Sequence, residues 1–267
     1  MKKLITITDL TRMKEGRVCI AGYDENGSCI RPVLPSPGIK ENTLYFSGSN
    51  VISPFSVVEF DLLQHLPKPP HTEDYRYKPK SIRFIEHLDE KRKRELLTKT
   101  LFENVSAIFE VPVLSDPGHY IIDGQGPRSL GTIQPRRVIK AIYEKSPEGM
   151  WKYRLNFIDG QGKSYRLTIT DLAWRYYNDR LRDEGKTPQQ ISSDLTAILM
   201  KSEVFLRIGL ARGWEKFPDR CFLQITGVYS FPDYLKGQTF SDLAPKQNKY
   251  IKYLKSVLRE ICRLTTH

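Results

Sequence analysis

A six-residue pattern occurs twice in this chain and limits the folds that the chain can adopt. Residues 5–10 read ITITDL, and residues 167–172 read LTITDL. Each copy is followed by an apolar run that contains a glycine, at residues 18–22 in the first half and 204–209 in the second. Alternating β-branched side chains are typical of a half-buried strand. The repeat therefore predicts two related β-rich modules.

The length and the turn residues indicate where the two modules meet. A chain of 267 residues suits one large domain or two ordinary ones, and its hydrophobic fraction of 39% is enough for real cores. Turn-forming residues cluster at 116–118 (Asp-Pro-Gly) and 123–127 (Asp-Gly-Gln-Gly-Pro). We therefore place a first module at 1–127 and a second at 128–267.

The charge of the chain points to a polyanionic partner. Lys and Arg number 42 against 31 Asp and Glu, which gives a formal net charge of +11. A basic surface favours polyanions because each bound phosphate releases condensed counterions. We expect nucleic acid or another phosphate-rich partner, with an acidic protein or a membrane surface as the alternatives.

Several classes of protein are disfavoured by the sequence. The four cysteines form no close pair and are too few for a disulfide scaffold of this length. The apolar run at the N-terminus stops at Thr8 and Asp9, and no run of about 18 apolar residues follows. We expect a cytoplasmic protein that has no membrane segment and needs no cofactor.

The first module begins with a β-hairpin. Residues 17–22 and 28–33 are strand-like, and the Asp-Glu-Asn-Gly turn between them suits a type I′ conformation. The other elements predicted in this module are a strand at 55–63, an exposed Pro-rich loop at 64–80, a strand at 81–85 and a helix at 88–102.

The second module begins with a three-stranded meander. Its strands are predicted at 133–143, 152–158 and 164–169, with Asp-Gly-Gln-Gly at 159–162 as a turn. Thr170 or Asp171 caps a helix to about Arg182, and Thr187 begins a second helix with a capping box. The remaining predicted elements are strands at 204–210 and 221–229 and an amphipathic C-terminal helix at 245–263.

No group of residues forms a recognisable catalytic motif. The sequence has no Walker-type phosphate loop and no histidine pair at metal-ligand spacing, and pairing Cys29 with His119 is arbitrary. Asp9 and Asp171 are the candidates for a divalent-metal site of a nuclease. We prefer the interpretation that each carboxylate caps the backbone after its strand, since that explains their repetition. The sequence thus predicts a protein without enzymatic activity and without a bound metal.

Basic and aromatic residues alternate in several segments, which favours binding of single strands. A basic groove combined with stacking rings is how β-modules hold single-stranded nucleic acid. Lys152 and Arg154 lie on one face of a strand, with Trp151 and Tyr153 on the other. Trp214, Tyr229 and Phe231 are the candidate stacking residues. The candidate phosphate contacts are Arg12, Arg17, Arg31, Arg136, Arg137, Lys140, Lys152, Arg154, Arg166 and Arg212.

Four segments resemble a known family. They are Thr-Asp-Leu-Thr-Arg-Met at 8–13, Cys-Ile-Arg-Pro-Val at 29–33, Gly-Leu-Ala-Arg-Gly-Trp at 209–214 and Phe-Pro-Asp-Tyr-Leu at 231–235. Together they resemble the dual OB-fold domain family of bacterial and archaeal proteins. The resemblance covers nearly the whole chain and implies two OB-like barrels, nucleic-acid binding and, for some members, a link to defence or mobile-element loci. It implies no catalytic residues.

The expected fold is therefore mostly β with added helices, arranged as two tandem OB-like β-barrel modules with a C-terminal amphipathic helix. An OB module is a small Greek-key barrel that binds oligonucleotides on its second and third strands and adjoining loops. We expect binding of single-stranded or structured DNA or RNA through both barrels. The alternatives are an adaptor that docks on a nuclease or helicase partner, and a metal-dependent nuclease that uses Asp9 or Asp171.

Overall fold

The structure is a computed structural model that describes residues 1–46 and 49–244. In these residues no helix is long and apolar enough to cross a membrane. The strands are β1 (Lys2–Arg12), β2 (Val18–Tyr23), β3 (Cys29–Val33), β4 (Tyr45–Phe46), β5 (Ser49–Asn50), β6 (Ser56–His65), β7 (Asp74–Tyr77), β8 (Arg83–His87), β9 (Leu101–Phe102), β10 (Tyr120–Ile122), β11 (Leu130–Ile133), β12 (Arg137–Lys145), β13 (Trp151–Ile158), β14 (Ser164–Ile169), β15 (Glu203–Leu210) and β16 (Arg220–Phe231). The helices are α1 (Glu90–Lys99), α2 (Val105–Phe109), α3 (Leu172–Asp183), α4 (Pro188–Met200) and α5 (Phe240–Leu243).

The first module is a closed five-stranded barrel. Its strands are hydrogen-bonded in the order β1-β2-β3-β7-β6, and β6 pairs back to β1 over Lys2–Thr6. The β3–β7 ladder is parallel, whereas the other ladders of the barrel are antiparallel. Strand β8 extends the sheet from β6. Closure removes the free sheet edges that would otherwise be open to pairing with other chains.

The second module repeats this strand order. Its strands follow the order β12-β13-β14-β16-β15, and β14 and β16 are parallel in the same way as β3 and β7. In both modules the third strand therefore lies beside the fifth, which shows that the topology is duplicated. The order and the parallel pair confirm the expectation of two OB-like modules.

Helix α4 takes the place of a strand at the open edge of the second barrel. Strand β15 pairs with β11 instead of β12, so the outer amides of β12 need other partners. The Ala141 amide donates to Thr196 Oγ1 at 2.9 Å, and the Tyr143 amide donates to Ser192 Oγ at 2.9 Å. Unpaired buried amides are costly, so these hydroxyls stabilise an edge that a β-ladder protects in the first barrel.

Several predicted elements are confirmed. The β2–β3 hairpin and the β12–β13–β14 meander pair as expected. Helix α4 begins with a complete capping box in which Thr187 and Gln190 bond each other's backbone amides. Asp159 caps the predicted turn, since its carboxylate accepts from the amides of Gln161 and Lys163.

Three predicted elements were wrong. The Pro-rich segment 64–80 is not an exposed loop, because β7 lies within it and Tyr77 is only 1% exposed. The predicted helix at 88–102 ends at Lys99 and is followed by β9. The predicted strand at 133–143 is two strands, and Pro135 lies between them because proline lacks the amide that a ladder needs.

The two modules are closely joined. Strands β9 and β10 precede residue 127 but pair with β11 and β16 of the second sheet. Buried side chains of both barrels, such as Phe60 and Leu155, belong to one hydrophobic cluster. The module boundary at residue 127 stays a prediction. The predicted C-terminal helix lies outside the described residues.

Candidate nucleic-acid interface

A buried ion pair joins the two barrels. Arg207 of β15 is 0% exposed, and its Nε and Nη2 lie 2.9 and 2.8 Å from Asp9 Oδ2 of β1. The guanidinium also donates to Thr132 Oγ1 at 3.0 Å and to the hydroxyl of Tyr23. The other Asp9 oxygen accepts from Thr226 Oγ1 at 2.5 Å. The prediction that Asp9 caps the backbone was therefore wrong. Asp9 is the partner of a buried arginine.

Asp171 has the predicted capping role. Its Oδ1 accepts from the amides of Ala173 and Trp174 at the start of α3, and its Oδ2 accepts from the Val228 amide at 2.9 Å. Burial raises the pKa of this carboxyl to about 7, and the charge of Asp9 adds to the increase. Both predicted metal ligands thus have protein partners, and the described residues contain no group of three His, Cys, Asp or Glu suited to a metal ion.

The face of the first barrel formed by β2 and β3 is covered by the second module. Arg31 of β3 is 5% exposed; its Nε lies 2.5 Å from Asp74 Oδ1 and its Nη1 3.1 Å from Ser129 Oγ. Glu73 accepts from the Ser129 amide at 2.6 Å. Arg31 is therefore a buried inter-module contact, and the prediction that it contacts phosphate was wrong.

The corresponding face of the second barrel is open. Side chains directly opposite each other in a ladder lie on the same face. Lys140 of β12 is opposite Asn156 of β13, which is opposite Arg166 of β14. In the next row Arg154 lies beside Thr168, and Lys152 and Arg137 extend the face toward its two ends. We call this surface the outer face, and it includes Arg137, Lys140, Ile142, Glu144, Lys152, Arg154, Asn156, Ile158, Ser164, Arg166 and Thr168.

The outer face is strongly basic. It carries five cationic side chains and a single carboxylate, that of Glu144. Glu144 lies beside two of these cations, with Arg166 Nη2 3.7 Å from its Oε1 and Arg154 bonded to the same oxygen. Lys140 and Arg166 are exposed, while Lys152 and Arg154 are half-buried. One carboxylate cannot neutralise five cations, so the positive charge faces the solvent.

The remaining predicted phosphate contacts lie elsewhere. Arg136 is exposed immediately before β12. Arg12 is exposed at the end of β1, and Arg17 is half-buried with its Nε 3.2 Å from Lys14 O. Arg212 is 52% exposed but bonds the Asp74 carboxylate. Five of the ten predicted phosphate contacts thus lie on one face of the second barrel, with Arg136 adjoining.

The predicted stacking residues differ in exposure. Trp214 is 52% exposed in the loop between β15 and β16, with its ring 5.7 Å from that of Phe217. Tyr229 is half-buried, and its hydroxyl donates to Thr8 O at 2.8 Å. Phe231 is 7% exposed and packs edge-on against Phe205, so its prediction as a stacking platform was wrong. Only Trp214 among these three has a largely exposed ring.

Sequence reasoning missed the buried polar residues that join the modules. Arg207, Glu73 and Asp74 were not singled out, although each is buried. Arg207 offered a signal, because it is a lone arginine within the apolar run of β15. A charge in such a strand needs a buried counter-ion, which the sequence alone could not locate.

The fold and the surface together define a protein of two fused OB-type barrels, of which one presents a basic outer face. The chain belongs to the dual OB-containing domain family, DuOB, whose family model matches residues 3–228. No curated protein matches the chain. The family agrees with the resemblance seen in the sequence and with the duplicated topology.

Proposed function

We propose that this protein is a non-enzymatic nucleic-acid-binding protein and that the strand lies on the outer face of its second barrel. The observation that carries the proposal is the alignment of Arg137, Lys140, Lys152, Arg154 and Arg166 on three neighbouring strands. OB modules bind oligonucleotides on the second and third strands, which are β13 and β14 here. The family adds support, because OB modules commonly serve in such binding.

The two barrels have different roles in this proposal. The first barrel's second and third strands, β2 and β3, are buried at the joint with the second module. A strand of nucleic acid has no access to that face unless the modules separate. We therefore expect one nucleic-acid site per chain, rather than the two sites that the sequence suggested.

The residues of the outer face favour contacts to phosphates over base stacking. None of its members named above is aromatic, whereas OB sites that stack bases present rings on the strands. Arginine and lysine neutralise phosphates without reading sequence. Trp214 lies in the loop between the fourth and fifth strands, which OB modules use together with this face. It is the candidate ring for one stacked base.

Fluorescence anisotropy with labelled single-stranded DNA, single-stranded RNA and duplex tests the proposal. We expect saturable binding at low salt that weakens steeply as salt increases, because counterions are released. Arg166→Gln should lower the slope of log K against log salt by about 1. Arg83→Gln is the matched control, since Arg83 is similarly exposed and paired with Glu59 on the first module. A flat titration, or equal losses in both variants, would disprove the outer-face site.

Trp214→Ala separates the stacking contribution from the phosphate contribution. We expect this variant to weaken single-strand binding by about 1–3 kcal/mol without changing the salt slope, because stacking involves no counterion release. The ring is 52% exposed, so its removal should leave stability nearly unchanged. Unchanged affinity for every single-stranded probe would show that Trp214 takes no part.

A further inference from the structure

A pocket lies at the joint between the modules, away from the outer face. Its volume is about 410 Å³, within the range of about 300–1,000 Å³ that is usual for small-molecule sites. One wall is the turn of the β2–β3 hairpin with Ser28 and Cys29, and the other is the segment from Lys99 to Phe102 with Arg128. We call it the seam pocket.

The side chains that line the seam pocket are basic and not acidic. Lys99 and Arg128 are its charged lining residues, and no carboxylate lines it within the described part of the chain. The hairpin turn holds two acidic residues: Asp24 is bonded to Lys3 at 3.0 Å, and Glu25 is exposed beside the lining residue Asn26. Asp9 below the pocket is neutralised by Arg207. Arg128 is paired with Glu110, so Lys99 is the lining cation that, among the described residues, has no carboxylate within ion-pair distance and can attract an anion.

Lys99 is free to bind a ligand. It is exposed at the end of α1, and no carboxylate lies within ion-pair distance of it in residues 1–46 and 49–244. Arg128 is less free, since its Nη1 lies 2.8 Å from both Ile108 O and Glu110 Oε1. Its guanidinium is thereby fixed with Cζ 5.0 Å from the centre of the Phe102 ring. A fixed guanidinium on an aromatic ring is a platform on which a planar base can stack.

The floor of the pocket is polar, rigid and uncharged. Burial raises the pKa of the Cys29 thiol to about 12, so the thiol stays protonated at neutral pH. Burial also raises the pKa of the Tyr23 hydroxyl. Arg207 holds both groups, with its Nη2 3.8 Å from Cys29 Sγ and its Nη1 bonded to the Tyr23 hydroxyl. The floor therefore adds hydrogen-bonding groups without adding a negative charge that would repel a phosphate.

We propose that the seam pocket binds the phosphate and base of a single nucleotide, with Lys99 at the phosphate and the Arg128–Phe102 pair beside the base. The nucleotide is either a free nucleoside monophosphate or the terminal nucleotide of a strand. The site does not depend on the outer face, because none of the residues that line it is among the members of that face.

Isothermal titration calorimetry with the nucleoside 5′-monophosphates and with inorganic phosphate tests the site on the full chain. We expect saturable binding of at least one monophosphate below about 1 mM and weaker binding of inorganic phosphate. Lys99→Gln should weaken the monophosphate about tenfold, since a charge-assisted contact is lost. Lys91→Gln is the control on the same helix, because Lys91 is 84% exposed and only weakly paired with Glu95. Ser28→Trp should fill the pocket and abolish binding.

The outcomes separate this proposal from the outer-face proposal. Arg166→Gln should leave monophosphate binding unchanged, and Lys99→Gln should leave the salt slope for oligonucleotides unchanged. Displacement of a labelled oligonucleotide by the monophosphate would identify the ligand as a strand terminus, and simultaneous binding would identify it as a free nucleotide. No saturable heat with any monophosphate, or binding that Lys99→Gln and Ser28→Trp do not alter, would overturn the proposal. Equal affinity for inorganic phosphate would overturn the contribution of the base.

Discussion

The ion pair between Asp9 and Arg207 offers a direct test of how the modules are held together. Arg207→Met keeps an unbranched apolar stem but removes the guanidinium of a side chain that is 0% exposed. The Asp9 carboxylate, 1% exposed, then loses the one ion partner it has among the described residues and keeps the hydroxyls of Thr8 and Thr226. A buried charge without a counter-ion is strongly unfavourable in a low-dielectric interior.

The expected loss follows from this geometry. Removing one partner of a buried pair costs about 3–5 kcal/mol. Arg207→Met also ends the hydrogen bonds to Tyr23 and Thr132, so the upper part of that range applies. For a chain of this size such a loss lowers Tm by roughly 10 °C. The double variant Asp9→Asn with Arg207→Met has no unpaired buried carboxylate at this site. It should therefore be at least about 2 kcal/mol more stable than Arg207→Met alone.

Urea unfolding followed by fluorescence and circular dichroism measures the loss of stability in Arg207→Met and the recovery in the double variant. Coincident transitions from the two probes would justify a two-state free energy. Arg83→Met is the control, because its pair with Glu59 is exposed on the arginine side and should contribute less than about 1 kcal/mol. A loss below about 1 kcal/mol in Arg207→Met, or a double variant whose loss equals the sum of the single losses, would refute the reasoning.

Two further predictions concern the stability of the second module. Because the folded pKa of Asp171 lies at about 7, above its ordinary value of 3.8, the folded state holds a proton that the unfolded state releases between these pH values. This carboxyl therefore stabilises the folded state most at low pH. Its contribution to the free energy of unfolding falls by up to about 1.4 kcal/mol per pH unit as pH rises toward 7, and stays constant at higher pH. Urea unfolding at pH 5–8 should show this pH dependence in the native protein but not in Asp171→Asn, and equal slopes in the two proteins would contradict the prediction. Ser192→Ala with Thr196→Val leaves the outer amides of β12 without partners, so we expect a loss of about 1–3 kcal/mol per amide and faster hydrogen exchange at Ala141 and Tyr143. Unchanged exchange would show that water replaces the hydroxyls without loss.

The features that the sequence predicted well depend on neighbouring residues. The Asn-Gly turn of the first hairpin and the capping box at Thr187 are complete within a few positions, so no distant contact can change their meaning. The alternation of Lys152 and Arg154 placed both on one face of β13 for the same reason. That Lys140 and Arg166 lie in register with them depends on the ladders, which the sequence does not contain.

The features that the sequence predicted poorly depend on distant residues. Strand β7 looks like an exposed loop because its sequence, DYRY, is polar and prolines precede it. It is buried because Arg31, 43 positions away, neutralises Asp74. Asp9 looks like a cap because its partner, Arg207, is 198 positions away. A polar residue can be assigned to the surface only when no such partner exists, and composition does not reveal that.

The repeated Thr-Asp-Leu sequence marks the joint between the modules. Thr11 forms an antiparallel bridge with Asp171, so the ends of the two copies lie side by side. Both carboxylates also reach β16, where Thr226 bonds Asp9 and the Val228 amide bonds Asp171. Two buried carboxylates that are this close repel each other unless their charges are offset. Arg207 offsets the first, and a proton offsets the second below about pH 7.

Stability and binding should therefore be separable in this protein. The joint is buried between the barrels, whereas Arg166 is 56% exposed on the outer face. Arg207→Met should lower the free energy of unfolding but leave the salt slope of the folded protein unchanged, because no phosphate contact is removed. Arg166→Gln should do the reverse. If Arg207→Met changed the salt slope at a temperature where it stays folded, the nucleic acid would have to contact the joint, and the outer face would not be the whole binding site.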